Sequence, residues 1–429
     1  MSGSWKLSSE HFYANSAVKD VMNLVKFRAG WGKVGNVDLF PTNVAEAQLL
    51  AYDWPIIFGK DLTNQMTGTY LNTIPNLNAR WETTEQTSVG LDLGFFNSAL
   101  EISVDWYNKR TKDLIDQIPT PLQLGVKNSP YGNMGDVQNK GWEFSINYNG
   151  TAAHGALNYN VWGMFSTNDG KVKSYGVRKD PVRHNTPNMN SNAILYSDAG
   201  YPWYSFRIYE TAGIFRSQDE IDNYVWTDPE TGASNAIQPH AKVGDLIYVD
   251  TNNDGKISDA DRVMKGSYAP VNTFSFGGSL NWKGLDFSFM FQGVSGNYVY
   301  NGMKQMAMKG GNQGYGNMVT DVLDAWDFNP ASSKYPRLGI AKDDNGNYIN
   351  CSDVFLEKGD YLRLKNITLG YTLPIKNSSV PKIRVYGSVD NVCTITGYSG
   401  IDPEVGNYGV DRGVYPVART FNFGVNLNF

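Results

Sequence analysis

The chain has 429 residues, of which 44 are glycine and 13% are aromatic, and its formal net charge is −5. No run of eighteen apolar residues occurs and mean hydropathy is −0.39, which excludes a membrane-spanning helix but not membrane strands, whose alternation is hidden in an average. Scattered basic residues under an acidic balance argue against nucleic acid as a partner.

The amino terminus, M-S-G-S-W-K-L-S-S-E-H-F, lacks the charged start and apolar core of a secretory signal. Residues 11–22 read as a short helix, because Ser16-Ala17-Val18-Lys19-Asp20-Val21-Met22 has no strand alternation. Val25, Phe27, Ala29 and Trp31 then occupy every second position and predict the first strand. An irregular stretch rich in Asn, Thr, Pro and Gly covers about 33–86. Val89 to Phe95 alternate, Phe96-Asn97-Ser98-Ala99 turn, and Leu100, Ile102, Val104 and Trp106 return. After a long segment (about 109–141), Trp142 to Tyr148 and Leu157 to Phe165 form a second pair around Gly150 and Gly155. A very long segment (about 168–271) precedes the pair Phe274–Trp282 and Leu285–Phe291, which turns at Lys283-Gly284. After about 293–359 comes a strand from Tyr361 to Leu373, whose parity slips between Leu364 and Ile367 and so predicts a bulge. Ile383 to Val389 follow a turn bracketed by Pro374 and Pro381, and a last long segment (about 392–417) leads to the end of the chain.

That end reads R-T-F-N-F-G-V-N-L-N-F. Phe421, Phe423, Val425, Leu427 and Phe429 lie on one face of a strand, and polar residues or glycine lie on the other. This is the pattern of an outer-membrane strand, apolar toward lipid and polar toward a wet lumen. In such barrels an aromatic terminal strand is the signal read by the barrel-assembly machinery. About ten strands are predicted, each of about 8–13 residues, close to the roughly 9–11 that a tilted membrane strand needs. Their connections alternate long, short, long, short. That matches a bacterial outer-membrane barrel with long loops outside and short turns in the periplasm, and it has no counterpart in a soluble sandwich. Trp31, Trp106, Trp142, Trp282, Tyr298 and Tyr371 fit interfacial girdles. The fold class is therefore all-β, an antiparallel transmembrane β-barrel segment with outer-membrane lipid around it.

The sharpest local motif lies in the longest loop, Asp250-Thr251-Asn252-Asn253-Asp254-Gly255-Lys256-Ile257-Ser258-Asp259-Ala260-Asp261. It matches D-x-[DN]-x-[DN]-G with an acidic residue at position twelve. A calcium ion needs several hard oxygens around one point. Asp250, Asn252 and Asp254 supply side-chain oxygens, Lys256 a carbonyl, Asp261 closes the loop and Ser258 can act through a water. Asp261 stands where glutamate is usual, and its shorter arm must reach further. No helices flank the loop, so the expected role is a structural Ca2+ that stiffens loop 168–271. The bland alternative is a solvated Asn-Asp-Gly turn.

No catalytic constellation emerges: His11, His154, His184 and His240 lie in separate segments and no G-x-S-x-G occurs, so no enzyme is expected. Loop aromatics, among them Trp203, Tyr204 and Tyr209, suit sugar rings or peptides, against the alternative that they pack the loops on each other. Cys351 and Cys393 show no metal spacing; free thiols and one bridge both stay open.

Several stretches resemble the carboxy-terminal part of SusC/RagA-like TonB-dependent outer-membrane transporters. They are Asn76–Gln86 followed by Val89-Gly90-Leu91-Asp92, Asn133–Glu143, Gly244–Asp250 running into the acidic loop, Tyr361–Tyr371, and Asp390-Asn391 to Asp402-Pro403-Glu404. The resemblance implies a barrel of about 22 strands with an amino-terminal plug, energy input from the TonB complex, and a SusD-like surface lipoprotein with which oligosaccharides or peptides are captured and imported. The plug, the TonB box and half of the barrel have no counterpart here. The chain is accordingly expected to be the carboxy-terminal half of a transporter, from a truncated gene model or a split gene. The alternatives are a stand-alone small barrel acting as pore, adhesin or enzyme, and a soluble carbohydrate-binding β protein.

Overall fold

The computed structural model describes residues 1–36, 51–53, 56–58, 65–67, 70–74, 76, 78–118, 120–176, 181–190, 192–309, 317–339, 343–375 and 381–428. The chain forms two compact units. Unit 1 is Met1–Tyr148, Ser166–Pro181 and Asp198–Tyr201; unit 2 is Asn149–Phe165, Val182–Ser197 and Pro202–Phe429.

In unit 1 an antiparallel meander runs through β1 (Ser2–Lys6), β2 (Met22–Asn36), β3 (Glu82–Phe95), β4 (Leu100–Gln117) and β5 (Tyr131–Ala152). Period-two alternation becomes continuous rows once the strands pair. Trp5, Phe27, Leu91, Val104 and Phe144 lie opposite one another across all five strands. The next rows are Val25, Leu93, Ile102, Ile146 and Ala29, Val89, Trp106, Trp142. Trp5 stacks on Phe27 at 6.3 Å and Trp142 on Phe144 at 6.2 Å. Phe27, Val89, Trp142, Phe144 and Ile146 are all exposed. A contiguous apolar face of this kind is what lipid, not water, covers.

The opposite face is polar. Arg28 donates to Asp92 (2.8 Å), to Asp105 (2.8 Å) and to Ser103 (3.0 Å). Gly90 makes room for this cluster, because a Cβ there would collide with the Asp105 carboxylate and come within 2.9 Å of the Arg28 guanidinium.

Unit 2 repeats the scheme with β6 (Leu157–Thr167), β7 (Asn272–Trp282), β8 (Leu285–Ser295), β9 (Tyr361–Thr372), β10 (Lys382–Thr396) and β11 (Thr420–Asn428) in that order. Its rows include Phe289, Ile367, Val389, Phe421 and Trp282, Leu285, Tyr371, Val385, Val425. Its polar face carries the same device as unit 1. Arg384 donates to Asp286 over Gly370, where a Cβ would come within 2.5 Å of both groups.

All ten predicted strands are present, and β1 is an additional one that the short, uncontrasted S-G-S-W-K run concealed. The expected helix over 11–22 is two single turns, His11–Ala14 and the 3-10 turn Ala17–Asp20. The bulge in β9 is present, as a register shift between Leu364 and Asn366 against β10. Strands β4 and β5 are much longer than the alternation indicated, at 18 and 22 residues. Both run on as a hairpin past the apolar rows, where Leu114, Ile115, Met134 and Val137 stand among polar residues and glycine, and register shifts around Leu114 break the period. Phe429 and most of 37–81 lie outside the described residues.

The long loops of unit 2 fold into a body with a core of its own. A four-stranded sheet orders Val182–Met189, Asn192–Ser197, Ser205–Tyr209 and Arg262–Ser267. Beside it, Tyr298–Asn301 pairs antiparallel with Leu356–Lys358 and parallel with Val410–Asp411. Ile194, Leu195, Phe206, Ile208, Tyr300, Met308, Tyr348, Phe355 and Val410 pack together with almost no exposure. Burial of such a side chain contributes about 1.5–3 kcal/mol, ample to hold three loops from distant parts of the chain on one another. Tyr298 belongs to this body and not to a girdle; its ring lies over Gly266.

Candidate functional site

Within the loop body, strand Leu246–Tyr248 pairs with Thr211–Ile214 and delivers the acidic motif at its end. Asn253 (φ 57°) and Gly255 (φ 83°) both take left-handed backbone, turning the chain back on itself. Asp250 accepts from the backbone N–H of Gly255 (2.8 Å) and of Asp254 (3.2 Å). Asp254 accepts from Lys256 N–H at 3.2 Å. Asp261 is fully buried and accepts from Thr251 N–H (3.0 Å) and Ser258 N–H (2.7 Å). The Ser258 side chain in turn caps the 3-10 turn Asp259–Asp261.

One carboxylate oxygen each from Asp250, Asp254 and Asp261 lies within 4.8 Å of the others. Ile257, the apolar eighth position, packs against the small core of Tyr209, Leu246 and Tyr248, and the ring of Trp226 lies over Gly255. The turn is thus fastened on both sides. Its convergent hard oxygens are the donor type that Ca2+ takes. The Asn252 side chain spans within the turn, donating to Asp254 at 3.1 Å and accepting from Asp254 N–H at 3.0 Å. The neighbouring cations are already engaged with Asp259: Arg262 Nε lies 3.0 Å and Arg207 Nη1 3.6 Å from its carboxylate.

The three aromatics suggested for substrate separate. Tyr209 is only 7% exposed, its ring covered by the Arg262 guanidinium at 5.0 Å and by Tyr248 at 5.4 Å; it is a packing residue. Tyr204, at positive φ (56°), is sandwiched between His184 (4.0 Å) and Tyr408 (4.4 Å). Trp203 sits edge-on to Tyr204 at 6.0 Å. These rings contact one another within the loop body. Phe421, Phe423, Val425 and Leu427 are 50–87% exposed along one face of β11.

Two buried polar networks were not read as networks from the sequence, although Asp245, Arg363, Asp402 and Glu404 lie in stretches that carry the family resemblance. Asp245, fully buried, receives Asn347 Nδ2 (2.7 Å), Lys242 N–H (2.8 Å) and Arg337 Nη2 (3.3 Å). On β9, Arg363 donates to Thr394 (2.8 Å), Asp402 (2.6 Å) and Glu404 (2.5 Å), and Tyr361 adds a bond to Glu404 at 2.6 Å. Cys351 is buried and Cys393 exposed; both are free thiols.

Antiparallel strands with an apolar outward face, a polar inner face, and long connections gathered at one end define a segment of a bacterial outer-membrane β-barrel. Residues 20–392 match the family "TonB dependent receptor-like, beta-barrel", and the chain belongs to that family. TonB-dependent receptor P26 of Formosa agariphila is 30% identical over all of this chain and 42% of its own length. TonB-dependent receptor SusC of Bacteroides thetaiotaomicron is 27% identical over 99% of this chain and 39% of its own length. The chain thus spans about two fifths of the length of the curated relatives it matches. A solved structure of the RagAB peptide importer in its open-open state shares the fold, with a TM-score of 0.76 at 23% identity over 100% of this chain and 42% of that one. The family places the chain in the bacterial outer membrane, and its named relatives are TonB-dependent receptors.

Proposed function

We propose that this chain forms the carboxy-terminal portion of the barrel of an active outer-membrane importer. It takes up oligosaccharides or peptides with a SusD-like surface lipoprotein, and the TonB complex supplies energy through parts of the protein beyond this segment. The observation that carries the reading is the loop body. Three long connections from one end of the strands share one hydrophobic core, which is the build of a receptor surface and not of a bare pore wall. Likeness to SusC along 99% of the chain supports it. The test is uptake. A strain with this coding segment disrupted is supplied with labelled oligosaccharides or oligopeptides, and the tagged protein is pulled down from native membranes. Loss of uptake of one class, with co-purification of a surface lipoprotein, is expected. Unchanged uptake of both classes and no lipoprotein partner would sink the reading.

In the same reading a structural Ca2+ is held by Asp250, Asn252, Asp254 and Asp261 with the Lys256 carbonyl. It would neutralise three carboxylates that otherwise repel at close range. Asp250→Ala with Asp254→Ala should raise protease cleavage within 200–270, and chelator should do the same to the wild type. If neither treatment changes cleavage, the turn holds no structural metal.

A further inference from the structure

The outer rim of unit 1 carries a groove that the import reading does not use. It measures about 310 Å³ and is lined by Lys33, Ala79, Arg80, Trp81, Thr83 and Asp113. Strand parity fixes the side on which it opens. Phe27, Trp31, Lys33 and Gly35 alternate on one face of β2, and Thr83 lies opposite Gly35. A Cβ on Gly35 would come within 3.0 Å of the Trp81 ring, so Trp81 stands on that face too, the apolar one that lipid covers.

The height is fixed as well. Trp31, Trp106 and Trp142 end the apolar rows, and the Trp31 indole N–H donates away from them to Glu85 at 3.1 Å. Lys33 lies one pleat further along β2, about 6.6 Å beyond Trp31. The polar layer over the hydrocarbon is about 5–7 Å deep. The groove therefore sits at headgroup level, at the long-loop end, in the outer leaflet.

Its charge balance favours an anion. Arg80 is held by Asp113 at 3.4 Å, and Lys112 by Glu85 at 3.3 Å. Further along the same face Arg110 pairs with Asp136. Lys33 has no ion pair among the described residues and meets Glu85 only at longer range. Three cations thus face two carboxylates around the groove, and the Thr83 hydroxyl adds a donor. We propose that this groove seats the phosphate of an outer-leaflet lipid headgroup, with Lys33 and Arg80 as its cations and Trp81 against the sugar or glycerol beside it.

The test uses the full-length membrane protein in detergent, with lipid binding followed by native mass spectrometry. The probes are diphosphoryl lipid A, its dephosphorylated form, and inorganic phosphate. Lys33 and Arg80 are exposed, so Lys33→Gln and Arg80→Gln leave the fold intact, which gel mobility with and without heating checks; Lys173→Gln, at another exposed lysine, is the control. Each lost cation should weaken lipid A about fivefold, the equivalent of about 1 kcal/mol, and the double variant about 25-fold. Dephosphorylated lipid should bind wild type no better than lipid A binds the double variant, and millimolar phosphate should not compete. Retention of lipid A by the double variant within twofold, or equal binding of the dephosphorylated lipid, would overturn the proposal. Full displacement by inorganic phosphate would reduce the groove to a free-anion site and overturn it equally.

Discussion

Arg363 offers the sharpest test of how the loop body is tied to the strands below it. Its side chain is 3% exposed and that of Asp402 8%, so the guanidinium and the carboxylate neutralise each other out of water. Removing one partner of a buried pair costs about 3–5 kcal/mol, because the other charge stays behind unpaired. In Arg363→Met both Asp402 and Glu404 are left so. Segment 397–419 should then avoid the penalty by detaching, which raises its opening equilibrium roughly 150- to 5,000-fold. Hydrogen exchange read by mass spectrometry on the purified membrane protein reports this directly. The sensitive amides are Glu404 and Val417, both of which donate to Asp402, at 3.0 and 3.2 Å. The sheet 182–209, which shares no bond with Arg363, should keep its protection. Exchange at Glu404 and Val417 within threefold of wild type would show that the ion pairs do not hold this loop.

Three further outcomes follow from the same structure. Burial pushes the Asp402 carboxyl up, but the N–H groups of Glu404 and Val417 and the Arg363 guanidinium outweigh it and hold it below the usual range. A depressed carboxylate contributes stability that is complete above its unfolded value, near 4, and fades as pH falls further. Protection of 397–419, corrected for intrinsic exchange, should be constant from pH 7 to 5 and decline only below about 4; a decline already at pH 6 would implicate another group. Gly90→Val should drive Arg28 off Asp105 and destabilise unit 1 by about 1–3 kcal/mol, seen as a lower temperature of heat-modified gel mobility; wild-type behaviour would mean that the cluster relaxes freely. Cys351 is fully buried and its thiol is pushed up to about 11, so a maleimide at pH 7.5 should leave it unlabelled until denaturant is added. Labelling in the native protein would show that the loop-body core opens.

What the sequence disclosed follows from what alternation can encode. Strands β7, β8 and β11 contrast an apolar face with a polar one along most of their length, and residues such as Phe287, Phe289, Phe421 and Phe423 gave their register away. The upper halves of β4 and β5 pair as well, with Arg110 opposite Gln138 and Lys109 opposite Asn139, but their register shifts on either side of Leu114. With mostly polar side chains and a period broken around Leu114 they read as loop. The Asp250–Asp261 turn was legible because its spacing is local. Its fastening by Trp226 and Ile257 was not, because those contacts are tertiary.

The loop body was the least legible part, for a reason that bears on function. Its core joins Ile194, Phe206, Tyr300, Tyr348 and Val410, residues scattered over more than two hundred positions that obey no single period. Each connection alone looks like a polar, glycine-rich excursion with a few stray aromatics. Its polar atoms are satisfied across the same distances: Gln305, fully buried, accepts from Tyr300 at 2.9 Å and donates to the carbonyls of Tyr348 (3.2 Å) and Asn350 (3.0 Å). A satisfied network of this kind rigidifies what would otherwise be three independent loops. A surface that must present one constant shape to a ligand or a partner needs that rigidity, whereas a passive pore does not. Tyr204 shows the consequence for reading sites from sequence: an aromatic in a long loop looked available for a ligand, and the rigid body had already used its ring between His184 and Tyr408.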